Sequence, residues 1–154
     1  MFSFKEYTSR FLDPSRKVKW KAGGFPYYRS KDDVIWVCLF ISNDPYYGGP
    51  APQIPKGHPD PGENPVKAAA REASEETGIS TQILMKKPLK ISMERFRGET
   101  GEYMMYVYGF EVDKPYRPKP NDEGHGVWVP IDWAIKNMRK DQRTFAIKLK
   151  STLQ

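Results

Sequence analysis

A single cysteine, Cys38, stands in the 154-residue chain, so no internal disulfide can close. It lies inside the apolar run VIWVCLFI, and no His or Cys is spaced nearby as a chemical partner, so it reads as a buried structural thiol. Long apolar runs are also missing. That run is the longest, at eight residues, against the ~20 that a membrane-crossing helix requires. The opening residues MFSFKEYTSRF alternate charge with aromatics and lack an apolar signal core with a cleavage site, so the expectation is a cytoplasmic chain with no membrane partner. There is no internal repeat and no block of five or six like charges, which argues against a solenoid and against a basic nucleic-acid-binding tail.

What is present fits one folded domain. A hydrophobic fraction of 38% and an aromatic fraction of 14% supply a core of ordinary size, and 154 residues are too few for two comfortable domains. The formal net charge of +6 suggests an anionic partner such as a nucleotide, a polyphosphate or RNA. The basic residues themselves (Arg16 to Lys21, Lys86 to Lys90, Arg95, Arg97, Arg139 to Lys150) are dispersed.

Val18 to Tyr28 mixes aromatics with Gly23, Gly24 and Pro26 and reads as a strand with an irregular end. Asp33 to Ser42 is a continuous β-branched and aromatic run, as in a strand covered on both faces. A long loop dense in Pro and Gly follows, and loops of that length inside a compact domain usually serve function. Pro65 to Thr77 predicts a helix: Asn64 suits the N-cap, Pro65 the first turn, and Gly78 the left-handed position after the last turn. LKISMERFRG and EYMMYVYGFEV flank GETG as a β-hairpin, with Met104, Tyr106, Tyr108 and Phe110 on one face and Tyr106 and Phe110 expected in the core. HGVWVPI reads as a last short strand. Asp132 and Asp141 each look like the cap of a terminal helix, the second carrying Phe145, Leu149 and Leu153 four apart. This order gives a mixed α/β or α+β layered domain.

The helix holds a puzzle. Glu72, Glu75 and Glu76 share one face at spacings where like charges repel, near the C-terminal end where the helix dipole also disfavours anions. Something positive must compensate. Arg71 can pair with Glu75 one turn on or with Glu63 before the helix, and the remaining carboxylates can converge on a divalent cation; oxygen-only ligands select Mg²⁺ or Mn²⁺. The alternative is an exposed acidic face laced with salt bridges.

The spacing tips the balance toward the cation. Gly57, five residues, Glu63, seven residues, then Arg71, Glu72, Ala73, Ser74, Glu75, Glu76, Thr77, Gly78 and Ile79 resembles the Nudix box, Gx5Ex7REUxEExGU with U a bulky aliphatic. Ala73 at the first U position is small but apolar. The likeness is dense over Gly57 to Ile79, weaker over Val18 to Lys56 and Asp122 to Met138, and absent from residues 1–17. This expectation divides the chain into an N-terminal extension and one domain over 18–154. The resemblance implies an α/β/α sandwich with a mixed sheet that hydrolyses a nucleoside diphosphate linked to another moiety. It implies Glu72, Glu75, Glu76 and the Gly57 carbonyl as metal ligands and a bracing ion pair between Arg71 and Glu63. Family members often add an acid from a distant loop as ligand or general base; NDEGHGVWVPIDWA offers Glu123, with Asp122 and His125 as rivals.

PKGHPDPGE looks most like the entry to the box in diadenosine polyphosphate hydrolases, which would put Lys56 and His58 against a polyphosphate. Phe96 stands near where asymmetric dinucleotide hydrolases often carry Tyr. Base stacking is open to Phe96, Tyr103, Tyr106 and the loop pair Tyr46 and Tyr47. Three other readings are carried: an RNA 5′ pyrophosphohydrolase, an ADP-ribose or NADH pyrophosphatase, and a non-catalytic nucleotide-binding regulatory module, against which the intact acids argue.

Overall fold

A computed structural model describes residues 19–44, 50–98 and 101–154. The expected extension over 1–17 and the expected substrate contacts Tyr46 and Tyr47 lie outside the described residues. Strands β1 (Trp20–Arg29), β2 (Ile35–Ser42), β3 (Lys56–Gly57), β4 (Pro88–Gly98), β5 (Gly101–Glu111) and β6 (Gly124–Pro130) form one mixed sheet in the order β4-β5-β1-β2-β6. Helix α1 is Pro65–Thr77, α2 Thr81–Leu84, α3 Ile131–Asn137 and α4 Arg143–Leu153, with a 3₁₀ turn at Lys140–Gln142. None of the described helices is long and apolar enough to cross a membrane.

The central strand β1 runs parallel to β5 on one edge, from Trp20 against Met104 to Tyr27 against Glu111. Its other edge is shared: Tyr27 to Arg29 pair antiparallel with β2, while Ala22 and Gly23 pair with β3. Gly23 makes the second junction possible, because a Cβ there would stand 2.6 Å from the Pro55 carbonyl oxygen and 2.7 Å from Lys56 Cβ. The two-residue β3, which no hydrophobic pattern announces, is thereby drawn onto the sheet beside the acidic helix.

Side chains alternate across the sheet, and each face has its own cover. On one face Phe25, Val37, Leu39, Met105 and Val107 pack with Ile131, Ala134 and Met138 around α3 and with Phe145 and Leu149 of α4. On the other, Ala22, Met104, Tyr106 and Phe110 pack under α1, with Ile79 and Leu84 beyond it. The result is the α/β/α sandwich. Tyr106 and Phe110 are core residues, as their face of the hairpin suggests. Cys38 is fully buried, and burial pushes its thiol up to about 12.

The ends of α1 fall where the sequence puts them. Asn64 accepts from the Lys67 N–H at 3.0 Å, and Gly78 takes φ 78° while its N–H bonds the Ser74 carbonyl. The terminal helices correct the expectation. Asp132 lies in the first turn of α3, whose cap position is Pro130, because the chain turns directly out of β6; its carboxylate takes an ion pair from Lys150 at 2.6 Å instead. Asp141 lies in the 3₁₀ turn, and α4 begins after Gln142 with no side-chain cap.

Candidate active site

The packing of α1 decides where its acids point. Ala68, Ala69, Ala70 and Ala73 are buried against the sheet, and side chains this small let the helix axis sit close to it. Ala73, the small residue at the first aliphatic position of the motif, is wholly buried in the core under α1. With that face committed, Arg71, Glu72, Glu75 and Glu76 are left on the flank toward β3 and residues 58–63.

Arg71 is the hub. Its Nε and Nη2 donate to Glu63 Oε2 and Oε1 at 2.9 and 3.1 Å, a fork on both oxygens. Nη2 also donates to the His58 carbonyl at 2.8 Å, and Nη1 to Glu72 and Glu75 at 2.9 and 3.1 Å. Asp60 adds a carboxylate oxygen 3.1 Å from Nε. The Arg71 hydrogen bonds hold Glu63 below the usual carboxylate range, and Glu63 in turn raises the already high guanidinium value. Glu63 also receives the Asp60 N–H at 2.9 Å, which closes the turn entering the helix.

Beyond Arg71 the acids are less well compensated. Glu72 lies against the backbone of β3: a Cβ on Gly57 would fall inside its carboxylate, so only glycine lets the acid rest there. Burial raises Glu72, while Arg71 opposes the rise. Glu76 is pushed up to about 8 by burial, with the charges of Glu72 and Glu123 adding to the rise; the Lys56 backbone N–H, 3.0 Å from Oε1, opposes it. The Lys56 ammonium is lowered to about 8 by burial and by Lys21. His58 is lowered by burial and then by Lys21 and Lys56. A half-buried acid held at about 8 thus sits beside Lys56, whose ammonium is crowded by Lys21.

These groups open onto one cavity of about 790 Å³, whose lining includes Phe40, Gln53, Lys56, Gly57, His58, Arg71, Glu72, Glu75, Glu76, Asp122 and Glu123. Glu123 reaches it from the loop before β6. Asn121 Oδ1 accepts from the N–H groups of Glu123 and Gly124 at 2.8 and 3.0 Å, and its Nδ2 donates to the Glu75 carbonyl at 2.6 Å. The Glu123 carbonyl takes the Asn43 N–H at 2.8 Å. Asp122 lines the same cavity, whereas His125 is drawn into β6 opposite Ile41 and does not line it.

Phe96 and Tyr103 stand elsewhere. Their rings are 5.5 Å apart on the face covered by α4, Phe96 is 5.2 Å from Phe145, and Tyr103 is buried with Lys21 Nζ 4.4 Å from its ring centre. Both are engaged in packing, and the structure does not bring either of these expected substrate contacts to the cavity lining. Sequence reasoning missed Phe40, Gln53, Asn43 and Asn121. Asn121 had a local signal, since Asn before a turn commonly bonds the backbone two residues on; the others are brought in by the β2 to β6 pairing and by the bridge between Phe40 and Gln53.

The donor set suits a hard divalent cation: clustered carboxylates plus the backbone of Gly57, with no thiol among the described residues that line the cavity; the His58 imidazole stands in the same wall. Among the described residues no three such side chains already stand as a coordination shell. The geometry explains this, because Glu72 and Glu75 are turned to Arg71. Glu75, with its side chain 57% exposed, is free to turn back.

Residues 19–149 match the model of the NUDIX domain. The chain belongs to the Nudix family. An RNA pyrophosphohydrolase of Rhizobium meliloti is 32% identical over a stretch covering 55% of this chain and 59% of that protein. A bis(5′-nucleosyl)-tetraphosphatase (asymmetrical) of Rattus norvegicus is 51% identical over 45 residues, 29% of this chain and 26% of that protein. The chain thus spans less than two thirds of the length of either curated relative. Among solved structures, the NUDIX domain of Shewanella oneidensis NrtR complexed with ADP ribose superposes with a TM-score of 0.73 at 14% identity, covering 99% of this chain and 100% of that one, a likeness of fold. In this Nudix chain the box is therefore the loop, helix and loop from Gly57 to Ile79, and the cavity is built on it.

Proposed function

We propose that this Nudix domain hydrolyses a pyrophosphate linkage in a nucleoside diphosphate derivative, with Mg²⁺ or Mn²⁺ as its cation and a dinucleoside polyphosphate such as diadenosine tetraphosphate as substrate. The observation that carries the reading is Glu76: a half-buried acid crowded by the charge of Glu72 and Glu123, compensated by the Lys56 backbone N–H and by a Lys56 ammonium that is itself lowered by burial and by Lys21. A cation relieves it. Glu72, Glu75, Glu76 and the Gly57 carbonyl would hold that ion, with Glu123 as a further ligand or as base. When bound, the ion supplies positive charge where negative charge develops on the phosphoryl oxygens and makes water more acidic.

The chain's own residues do the rest. Arg71 holds Glu63, Glu72 and Glu75 in register with the loop and stays protonated throughout. Lys56 and His58, at the cavity wall, meet the phosphate chain, with Lys56 as a point charge desolvated by its surroundings. Glu123, fixed by the Asn121 turn, takes the proton from the attacking water. The substrate choice is supported by PKGHPDPGE and by the tetraphosphatase relative.

A second reading, removal of pyrophosphate from RNA 5′ ends, is favoured by the +6 charge and by the RNA pyrophosphohydrolase relative. The test is turnover with Mg²⁺ on a panel of diadenosine tetraphosphate, ADP-ribose, NADH and triphosphorylated RNA. Highest kcat/KM on the dinucleotide supports the first reading, highest on RNA replaces it with the second, and no turnover on any overturns both in favour of a binding module.

A further inference from the structure

One donor in the cavity wall has no partner among the described residues. Gln53 is only 4% exposed and lines the cavity, and its Nε2 is buried without a hydrogen-bond partner among the described residues. The backbone around it is fixed. Its N–H and carbonyl exchange bonds with Phe40, both at 2.8 Å, and the next residue, Ile54, gives its N–H to Gln142 Oε1 at 2.8 Å. Gln142 is equally buried and uses its amide to hold this segment. Gln53 uses its own for nothing inside the described residues, although an unmade buried donor is costly to fold around.

We propose that Gln53 is a substrate-binding donor whose side-chain N–H groups meet a non-bridging oxygen of the polyphosphate chain. The inference rests on the reading that this cavity is the hydrolytic site. A phosphate oxygen is the acceptor that the surroundings favour: Gln53 shares the cavity with the carboxylates that would hold the cation and with Lys56, where the phosphates must lie. A neutral amide is also the donor suited to such a wall. A further lysine would be captured by Glu72 or Glu76, whereas an amide stays available to the incoming anion without being neutralised.

The test uses the full chain with Gln53→Leu, which keeps the bulk and removes the amide, and with Gln53→Met as a second variant should the first fold poorly. Mg²⁺-tripolyphosphate binding is measured by calorimetry, and kcat and KM are measured for diadenosine tetraphosphate. The expected result is a melting temperature at or above wild type, a tripolyphosphate Kd raised about ten- to a hundred-fold, and a KM raised by a similar factor with kcat little changed. A Kd and KM within two-fold of wild type would overturn the proposal. So would a raised KM with unchanged tripolyphosphate binding, which would make Gln53 a reader of the nucleoside, or a lowered melting temperature with kcat falling alongside, which would make it structural. Because tripolyphosphate binding is read without turnover, a wild-type protein that binds it and hydrolyses nothing fails the proposed activity alone; one that does not bind it fails this inference as well.

Discussion

Replacing Glu76 by Gln separates stability from activity. Burial holds Glu76 at about 8 against an ordinary 4.5, so in the cation-free protein the folded state keeps a proton that the unfolded state releases. The sign follows from that: below 4.5 both states are protonated and there is no penalty, between 4.5 and 8 the fold loses stability as pH rises, and above 8 the loss is complete. At ~1.4 kcal/mol per pH unit the ceiling is ~5 kcal/mol, and solvent reaching the carboxylate through the cavity reduces this to an expected ~2–3 kcal/mol. Glutamine carries no charge and its carbonyl can still accept the Lys56 N–H. In EDTA at pH 8.5, Glu76→Gln should therefore melt about 5–10 °C above wild type, and at pH 4.5 the two should melt together. With Mg²⁺ the order of merit reverses, since the variant should lose at least ~100-fold in turnover. Differential scanning calorimetry across the pH series reads the first part. A variant less stable than wild type at pH 8.5, or a difference that does not change with pH, would show that Glu76 carries no proton in the folded, cation-free protein.

Other perturbations probe the brace and the packing. Arg71→Lys keeps the charge but loses the fork on Glu63 and the reach to Glu72 and Glu75, so chemical denaturation should show a loss of ~1–3 kcal/mol and turnover should fall with it. Gly57→Ala drives a methyl into the Glu72 carboxylate; turnover should drop at least ~10-fold while circular dichroism shows the fold retained. Cys38, fully buried with its thiol pushed up to about 12, should resist alkylation at pH 8 in the native protein and react only in denaturant, as mass spectrometry would show.

The parts of the fold legible in the sequence are those written locally. Asn64 and Pro65 state one end of α1 and Gly78 the other, and the Glu63 to Arg71 pair is what the likeness of Gly57 to Ile79 to the Nudix box implies. What depends on distant chain segments was harder to read. Asp132 and Asp141 look like caps in isolation, yet the chain leaves β6 already turning and inserts a 3₁₀ turn before α4. Tyr103 and Met104 alternate, but only the two-sided cover of the sheet settles that Tyr103 lies under the α3 and α4 layer, away from the cavity. Gln53 enters the site through a single bridge to Phe40, 13 residues away in sequence, which no periodicity encodes.

The claim at the centre is that Glu76 and its neighbours hold a divalent cation, and a cation that binds there at pH 7.5 must expel the proton that Glu76 retains. Titrating Mn²⁺ into the cation-free protein by calorimetry, in two buffers of different ionisation heat, measures that proton directly. Wild type should release a substantial fraction of one proton per bound ion, and Glu76→Gln should lose both binding and release. Tight binding with no proton released, undiminished in the variant, would contradict that claim.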